Sequence, residues 1–180
     1  ETQESSSTKQ QSSEVIYDSS GENLVLNSSY EANSGDEPKY WDITDGQQSQ
    51  YSQVTEPVRS GDKSLKVTLN GKTITLYGKT SQDTASKAPY TLSVSLNLSS
   101  FNCSGTKCTV TLGLTDDNVQ NKLHTKAFTI DSTFPTNTWV RMSATFDNSQ
   151  LGKLSPFIEF ESDFSSGTVY LDDVKLEIGS

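Results

Sequence analysis

The chain has 180 residues and a mass of 19.7 kDa, enough for one domain with a two-layer core and too little for two ordinary domains. Its 23 Asp and Glu against 14 Lys and Arg give a net charge of -9 at pH 7, and the sequence contains no basic cluster. This charge argues against nucleic acid and anionic membranes as partners. No run of 18 apolar residues is present, so membrane insertion is not predicted.

The first 20 residues differ in composition from the rest of the chain. Residues 1–20 are rich in Ser, Gln and Glu, with almost no apolar side chain before Val15. Such a segment cannot offset the entropy of ordering, which predicts a disordered tail or linker attached to a domain at 21–180. Because the chain begins at Glu1 without an initiator Met or signal peptide, we expect a processed or excised piece. We also expect a monomer within a larger multidomain protein.

From Asn23 onward, short segments of alternating apolar and polar residues are separated by Gly, Asn, Asp and Ser. The predicted strands are 23–31 (running into a turn), 64–69, 71–77, 90–98, 107–114, 126–130, 139–146, 156–161 and 168–178. Asn70-Gly71 is a turn signal between the second and third strands. No segment has a convincing helical period. The pattern predicts an all-β, two-sheet β-sandwich of the jelly-roll type.

The chain has two cysteines, Cys103 and Cys108, separated by four residues. A hairpin end would bring them within disulfide reach. A zinc site is the alternative, but it needs further ligands, and the single histidine, His124, is far along the chain. A disulfide indicates an oxidising compartment, so a secreted or cell-surface location is predicted.

The last predicted strand carries a carboxylate in an unexpected place. Because side chains alternate between the two faces of a strand, Tyr170, Val174, Leu176 and Ile178 share one apolar face, and Asp172 lies in the middle of it. A buried carboxylate without compensation costs several kcal/mol. A hydrogen-bond network, a cationic side chain or a bound cation are therefore the alternatives for its partner.

Six pieces of sequence, taken in order, form a recognisable set. They are N-L-V-L-N-x-x-Y-E at 23–31, Trp41, S-G-D-K-S-L-K-V at 60–67, Y-T-L-S at 90–93, W-V-R at 139–141 and G-T-V-Y-L-D-D-V at 167–174. This set resembles the jelly-roll carbohydrate-binding modules of the galactose-binding-like superfamily, in particular the group shared by families 4, 9, 16 and 22. The resemblance covers residues 23–178. It implies non-catalytic polysaccharide binding by a module appended to a glycoside hydrolase or surface protein.

The same resemblance implies a structural Ca²⁺ near the chain ends. Its ligands would be Glu31 in the opening motif, Asp172 in the closing motif and carbonyl oxygens around Ser60 and Lys63. Oxygen donors suit a hard cation such as Ca²⁺, which agrees with the cation alternative for Asp172. Tyr30 departs from the family motif, in which Phe is usual at this position.

Polysaccharide recognition needs aromatic faces that stack on pyranose rings and planar polar groups that bind hydroxyls. The predicted binding residues are Tyr77, Arg141, Phe157 and Glu159, which face outward on strands that could share one sheet, and Trp41 in an irregular segment. A groove across that sheet would bind a chain of the β-glucan, xylan or mannan class. A site in the edge loops is the alternative.

Catalysis is not predicted from these residues. The sequence has a lone His124 and neither G-x-S-x-G nor H-E-x-x-H, so a nucleophile with its base cannot be assembled. Glu159 and Glu161 share a strand face, which leaves glycoside hydrolysis by two carboxylates as the enzyme alternative. We expect a binding module that targets an attached enzyme or surface protein to glycan. The competing hypothesis is a structural or adhesive module of a cell-surface protein with a protein partner.

Overall fold

The computed structural model describes residues 22–34, 37–44, 50–81, 87–116, 121–149 and 151–179, and the tail predicted at 1–20 lies outside these ranges. Within them the chain forms two five-stranded antiparallel sheets and a small two-stranded sheet, without an α-helix. This is the β-sandwich that the alternating pattern predicted, and it is consistent with a jelly roll. The described part of the chain has no helical segment with the length and hydrophobicity of a membrane span.

Twelve strands build these sheets. In chain order they are β1 (Asn33–Ser34), β2 (Glu37–Pro38), β3 (Trp41–Thr44), β4 (Tyr51–Val54), β5 (Ser64–Leu69), β6 (Ile74–Gly78), β7 (Ala88–Cys103), β8 (Lys107–Asp116), β9 (Lys122–Asp131), β10 (Trp139–Asn148), β11 (Leu154–Phe160) and β12 (Phe164–Ile178). Sheet I has the order β10-β7-β12-β5-β4, and sheet II has the order β3-β6-β11-β8-β9. The C-terminal strand β12 is therefore central in sheet I, and β11 is central in sheet II.

The hydrophobic core lies between the two sheets. Leu92 and Leu96 from sheet I, and Leu112 and Ile158 from sheet II, are 0% exposed. Each fully buried aliphatic side chain of this kind contributes roughly 1.5–3 kcal/mol to folding. Because these residues occupy alternate positions of their strands, the residues between them point to the outer face of each sheet.

The observed strands agree with the predicted ones most closely where alternation is clean. The strand Ser64–Leu69 has the predicted bounds, whereas the next long strand, Ala88–Cys103, extends beyond the predicted 90–98. The opening motif is not a strand, because Tyr30 has a φ of 55° and Val25 makes only an isolated bridge to Thr80. The strands between residues 33 and 54 are only two to four residues long, too short for an alternating pattern to identify them.

Hydrogen bonds fasten the opening segment to the closing strand. The amide of Leu24 donates to the carbonyl of Leu176 at 2.8 Å, and the amide of Val174 donates to the carbonyl of Ser28 at 2.9 Å. The side-chain amide of Asn23 also donates to the carbonyl of Val174, at 2.9 Å. The two ends of the domain therefore meet, although one of them is not a regular strand.

A bulge interrupts the alternation of β12. The pairing with β7 shifts by one residue between Asp172 and Lys175, where Asp173 has a φ of 47°. The core-facing side chains before and after the bulge, all 0% exposed, are Val169, Leu171, Val174 and Leu176. Because of the extra residue at the bulge, the side chains of Val174 and Leu176 point into the core, as those of Val169 and Leu171 do.

The predicted apolar face of Tyr170, Asp172, Val174, Leu176 and Ile178 is therefore wrong. Tyr170 and Asp172 lie on the outer face of sheet I, opposite Asn97 and Ser95, while Ile178 is 43% exposed. Asp172 is nevertheless 0% exposed, because the backbone of residues 59 and 60 bonds to its carboxylate. The acid is buried, but by a loop that covers the sheet and not by the core.

Cys103 and Cys108 form the predicted disulfide, with their Cα atoms 5.3 Å apart. Both cysteines are consumed by this bond, so the zinc alternative is excluded. The bond closes the turn between β7 in sheet I and β8 in sheet II, and does not close a hairpin within one sheet. The disulfide therefore links the two layers of the sandwich.

Candidate functional site

The outer face of sheet II carries rows of side chains that cross the sheet. One row is formed by the paired positions Asp42, Tyr77, Phe157, Gly113 and Thr125. The neighbouring row is formed by Thr44, Thr75, Glu159, Thr111 and Ala127. Because β11 is the central strand, Phe157 and Glu159 lie in the middle of this face, with Tyr77 beside them. Three of the predicted binding residues are thus brought together.

Phe157 is the central aromatic residue of this face. It packs against the backbone of Gly113, where a Cβ would come within 2.4 Å of the ring. The Tyr77 ring is tilted at 46° with its centroid 6.0 Å away, and the Lys122 ammonium lies 5.2 Å from the Phe157 centroid. Phe157 is 0% exposed, so its ring is covered on the side that faces away from the core.

Glu159 is held by several donors. Its Oε2 atom lies 2.6 Å from the Lys122 ammonium and accepts a hydrogen bond of 2.6 Å from the Thr75 hydroxyl. Burial alone would raise the pKa of Glu159, but the hydrogen bonds from Lys122 and Thr75 outweigh it and lower the pKa. Glu159 is therefore an ionised, buried anchor for Lys122, with a side chain only 7% exposed.

Glu161 is the second carboxylate of the cluster. Burial, followed by the hydrogen bond with Glu159 and the charge of that carboxylate, raises its pKa to about 7. A protonated Glu161 carries no charge, which reduces its repulsion with the ionised Glu159.

Arg141 does not belong to this cluster. It lies on β10, the edge strand of sheet I, and its side chain reaches over the outer face of that sheet. Its guanidinium donates to the Ser93 hydroxyl at 2.7 Å, to the Ser95 hydroxyl at 3.1 Å and to the carbonyl of Asp173. The expected sharing of one sheet with Tyr77 is wrong for Arg141, which instead braces the bulge of β12.

Trp41 is also outside the candidate site. Its side chain is 2% exposed, and its ring centroid is 5.0 Å from that of Tyr30. The indole Nε1 donates to the carbonyl of Asn27 at 3.1 Å. Trp41 therefore fastens the opening turn to the core, and a ligand on the outer face of sheet II cannot stack on its ring.

The predicted metal ligands meet at one loop, residues 59–63. The Asp172 carboxylate accepts hydrogen bonds from the amides of Arg59 at 2.8 Å and Ser60 at 3.1 Å. The Glu31 carboxylate accepts from the amides of Asp62 at 3.0 Å and Lys63 at 3.1 Å. The two acids therefore hold the same loop from different positions.

The close contact between this loop and Glu31 depends on a glycine. Gly61 has a φ of +64°, and a Cβ there would come within 2.2 Å of Oε1 of Glu31.

Burial raises the pKa of Asp172 to about 6, against the opposing hydrogen bond from the Ser60 amide. The neighbouring Asp173 accepts from the Arg59 guanidinium at 2.5 Å.

Of the alternatives for Asp172, the structure shows the hydrogen-bond network, since the amides of Arg59, Ser60 and Asp173 donate to its carboxylate. Carboxylates such as Asp172 and Glu31 are also donors that Ca²⁺ prefers, but here both accept hydrogen bonds from loop amides. The Tyr30 hydroxyl is buried without a hydrogen-bond partner, and burial and then the charge of Asp172 raise its pKa. The described ranges contain no group of three or more His, Cys, Asp or Glu side chains placed for a metal, so the two acids would need the loop carbonyls.

Sequence reasoning missed Lys122 and Gly113. Lys122 is the first residue of β9, a strand predicted to begin only at 126, and its contacts cross two strands that are distant in sequence. Gly113 lies within the predicted strand 107–114, but its importance depends on which residue of the neighbouring strand lies opposite it. The long-range register that places Phe157 against Gly113 is not contained in either local segment.

No family model and no curated protein matches this chain. Among solved structures, an arabinose-bound GH51 α-L-arabinofuranosidase matches 86% of this chain at a TM-score of 0.68 and 14% identity. The match spans only 26% of that enzyme's chain, so it concerns one part of it.

Two further structures are matched over almost their whole length. A family 61 carbohydrate-binding module in complex with β-1,4-galactotriose has a TM-score of 0.61 and 13% identity, covering 88% of this chain and 99% of its own. The xylan-binding CBM22-1 domain of Paenibacillus barcinonensis Xyn10C has a TM-score of 0.56 and 13% identity, covering 89% and 97%. At these identities the similarity establishes the fold. The chain has the jelly-roll fold of carbohydrate-binding modules.

Proposed function

We propose that the outer face of sheet II binds a polysaccharide chain and that the protein is a carbohydrate-binding module. The observation that carries this proposal is the position of Phe157 and Tyr77, two aromatic rings with centroids 6.0 Å apart beside the polar cluster of Glu159 and Lys122. Phe157 lies on the outward side of the central strand β11, so its ring does not pack in the core between the two sheets. Aromatic and polar groups side by side match the alternating apolar and hydroxyl surfaces of a sugar.

The class of ligand is a neutral β-linked chain of the β-glucan, xylan, mannan or galactan kind. The xylan-binding domain and the β-1,4-galactotriose complex among the structural neighbours support this choice, since they share the fold. The net charge of -9 favours an uncharged chain over an acidic one. Binding without catalysis is supported by the two carbohydrate-binding modules that this chain matches over almost their whole length.

A structural Ca²⁺ completes the proposal. Glu31, Asp172 and main-chain carbonyls around Ser60 and Lys63 would hold the ion, which would tie the opening turn to β12. The support is the contact of both acids with the one loop. The disulfide supports a secreted or cell-surface module, and the match to one part of a larger enzyme supports a place within a multidomain protein.

Affinity gel electrophoresis against xylan, β-glucan, mannan and β-1,4-galactan tests the binding proposal. We expect retardation in at least one gel and its loss in Tyr77→Ala. The matched control is Tyr170→Ala, which removes a half-buried tyrosine from the outer face of sheet I and should leave retardation unchanged. Migration unaffected by every polysaccharide would overturn the proposal and favour a structural or adhesive module with a protein partner.

A further inference from the structure

The central aromatic ring of the candidate site is covered in the free protein. Phe157 is 0% exposed, although its side chain points away from the core. Tyr77 flanks the ring, with centroids 6.0 Å apart, and the Lys122 ammonium lies 5.2 Å from the Phe157 centroid. A cation therefore occupies the position over the ring at which a sugar would stack.

Lys122 is held there by two attractions. Its ammonium is 2.6 Å from Oε2 of Glu159 and also lies over the negatively polarised face of Phe157. The Thr75 hydroxyl donates to the same Glu159 oxygen at 2.6 Å and fixes the carboxylate. The position of Lys122 is thus fixed by the buried Glu159 carboxylate, which is itself held by Thr75.

The two partners differ in their freedom to move. The side chain of Glu159 is 7% exposed, whereas that of Lys122 is 41% exposed on an edge strand. Lysine has a flexible four-carbon stem and a strongly hydrated ammonium, so it can leave the ring for water while the glutamate stays in place. Of the two described side chains that lie against the Phe157 ring, Tyr77 and Lys122, Lys122 is the more exposed.

We propose that Lys122 is a gate for the candidate site, which covers Phe157 in the free protein and leaves the ring when a sugar stacks on it. This inference rests on the proposed function and goes further, because it names a residue that sets affinity and specificity. A pyranose ring offers C–H groups that replace the ammonium over the ring face. A ligand without such an apolar face cannot replace the lost contact and is disfavoured.

Removal of the gate should strengthen binding. In quantitative affinity electrophoresis, Lys122→Ala should bind at least about 2-fold more tightly than the parent, because the ligand displaces neither the cation–π contact nor the ion pair with Glu159. Lys122→Arg, which keeps a cation able to cover the ring, should not gain affinity. Lys126→Ala removes an exposed lysine of the same strand and controls for the change in net charge.

The position of Lys122 can also be followed directly by NMR. The ring current of Phe157 should shift the ε-methylene protons of Lys122 upfield in the free protein, and a saturating oligosaccharide should abolish this shift. Weaker or unchanged binding of Lys122→Ala, or an upfield shift that persists in the complex, would overturn the gate while leaving the proposed function intact. If neither the parent nor any variant binds a polysaccharide, the proposed function fails and the gate fails with it.

Discussion

The Phe157 ring lies so close to Gly113 that a single added carbon at Gly113 would be 2.4 Å from two ring atoms and 2.2 Å from the carbonyl oxygen of His124. Gly113→Ala should therefore displace Phe157 or the β9 backbone and destabilise the domain by about 1–3 kcal/mol, as overpacking does elsewhere. Urea unfolding measures the effect. Gly105→Ala is the matched control, since a Cβ there meets no atom within 4 Å. Equal stability of the two variants would contradict this packing.

Reduction of the disulfide should destabilise the sandwich. Cys103 and Cys108 close a short loop, for which the chain-entropy relation gives about 2 kcal/mol. Because the bond lies at the turn between the two sheets, its loss also frees that turn to fray. Thermal unfolding with and without a reductant measures the difference. A double Cys→Ser variant should have the thermal midpoint of the reduced parent and should not respond to reductant. If reductant still lowers the midpoint of that variant, the destabilisation has a cause other than the disulfide.

Loss of the Glu161 proton should lower the free energy of unfolding as pH rises. Burial and contact with Glu159 raise its pKa in the folded protein from 4.5 to about 7. The folded state therefore holds the proton more tightly than the unfolded state, so this contribution is complete below about pH 4.5 and is lost as pH rises to about 7.

Comparison with a variant isolates this effect. Glu161→Gln cannot titrate, so its urea midpoint should depend less steeply on pH than that of the parent between pH 4.5 and 7. Glu22→Gln, at an exposed acid outside the cluster, should keep the slope of the parent. Parallel curves for the parent and Glu161→Gln would show that Glu161 titrates normally.

Calcium should stabilise the domain through Glu31 and Asp172. An ion that binds only the folded state raises the thermal midpoint by about 5–10 °C at a 100-fold excess over Kd for a domain of this size. EDTA should reverse the rise, and Glu31→Gln should remove most of it. Asp42→Asn, at an exposed acid on sheet II, should respond to calcium like the parent. A thermal midpoint that changes with neither calcium nor EDTA would exclude a calcium site that stabilises the fold.

The sequence predicts the sandwich because its signal is local. In a strand such as β7, every second residue from Tyr90 to Leu98 is apolar, and the period of two identifies both the strand and its buried face. The disulfide between Cys103 and Cys108 is predictable for the same reason, since the two residues are close in sequence. Tyr77, Phe157 and Glu159 were predicted correctly to face outward, and sheet II brings them together.

The failures share a different cause, which is that they depend on contacts between distant segments. The bulge at Asp173 shifts the phase of β12, and no local pattern marks it. Arg141 and Tyr77 both face outward, but sheet membership depends on strand order, which places them on opposite faces of the sandwich. Lys122 acquires its importance only through Phe157 and Glu159, which are 35 and 37 residues away along the chain.

The most direct test of glycan binding on sheet II is a map of backbone amide shifts in ¹⁵N-labelled protein titrated with xylohexaose and β-1,4-galactotriose. We predict that at least one oligosaccharide shifts the amides of Tyr77, Lys122, Thr125 and Glu161 in a saturable way. Ser143 and Thr145, on the outer face of sheet I, should not move. Saturable shifts confined to sheet I, or no saturable shift with either sugar and with the polysaccharides of the gel panel, would contradict the assignment of this face as the binding site.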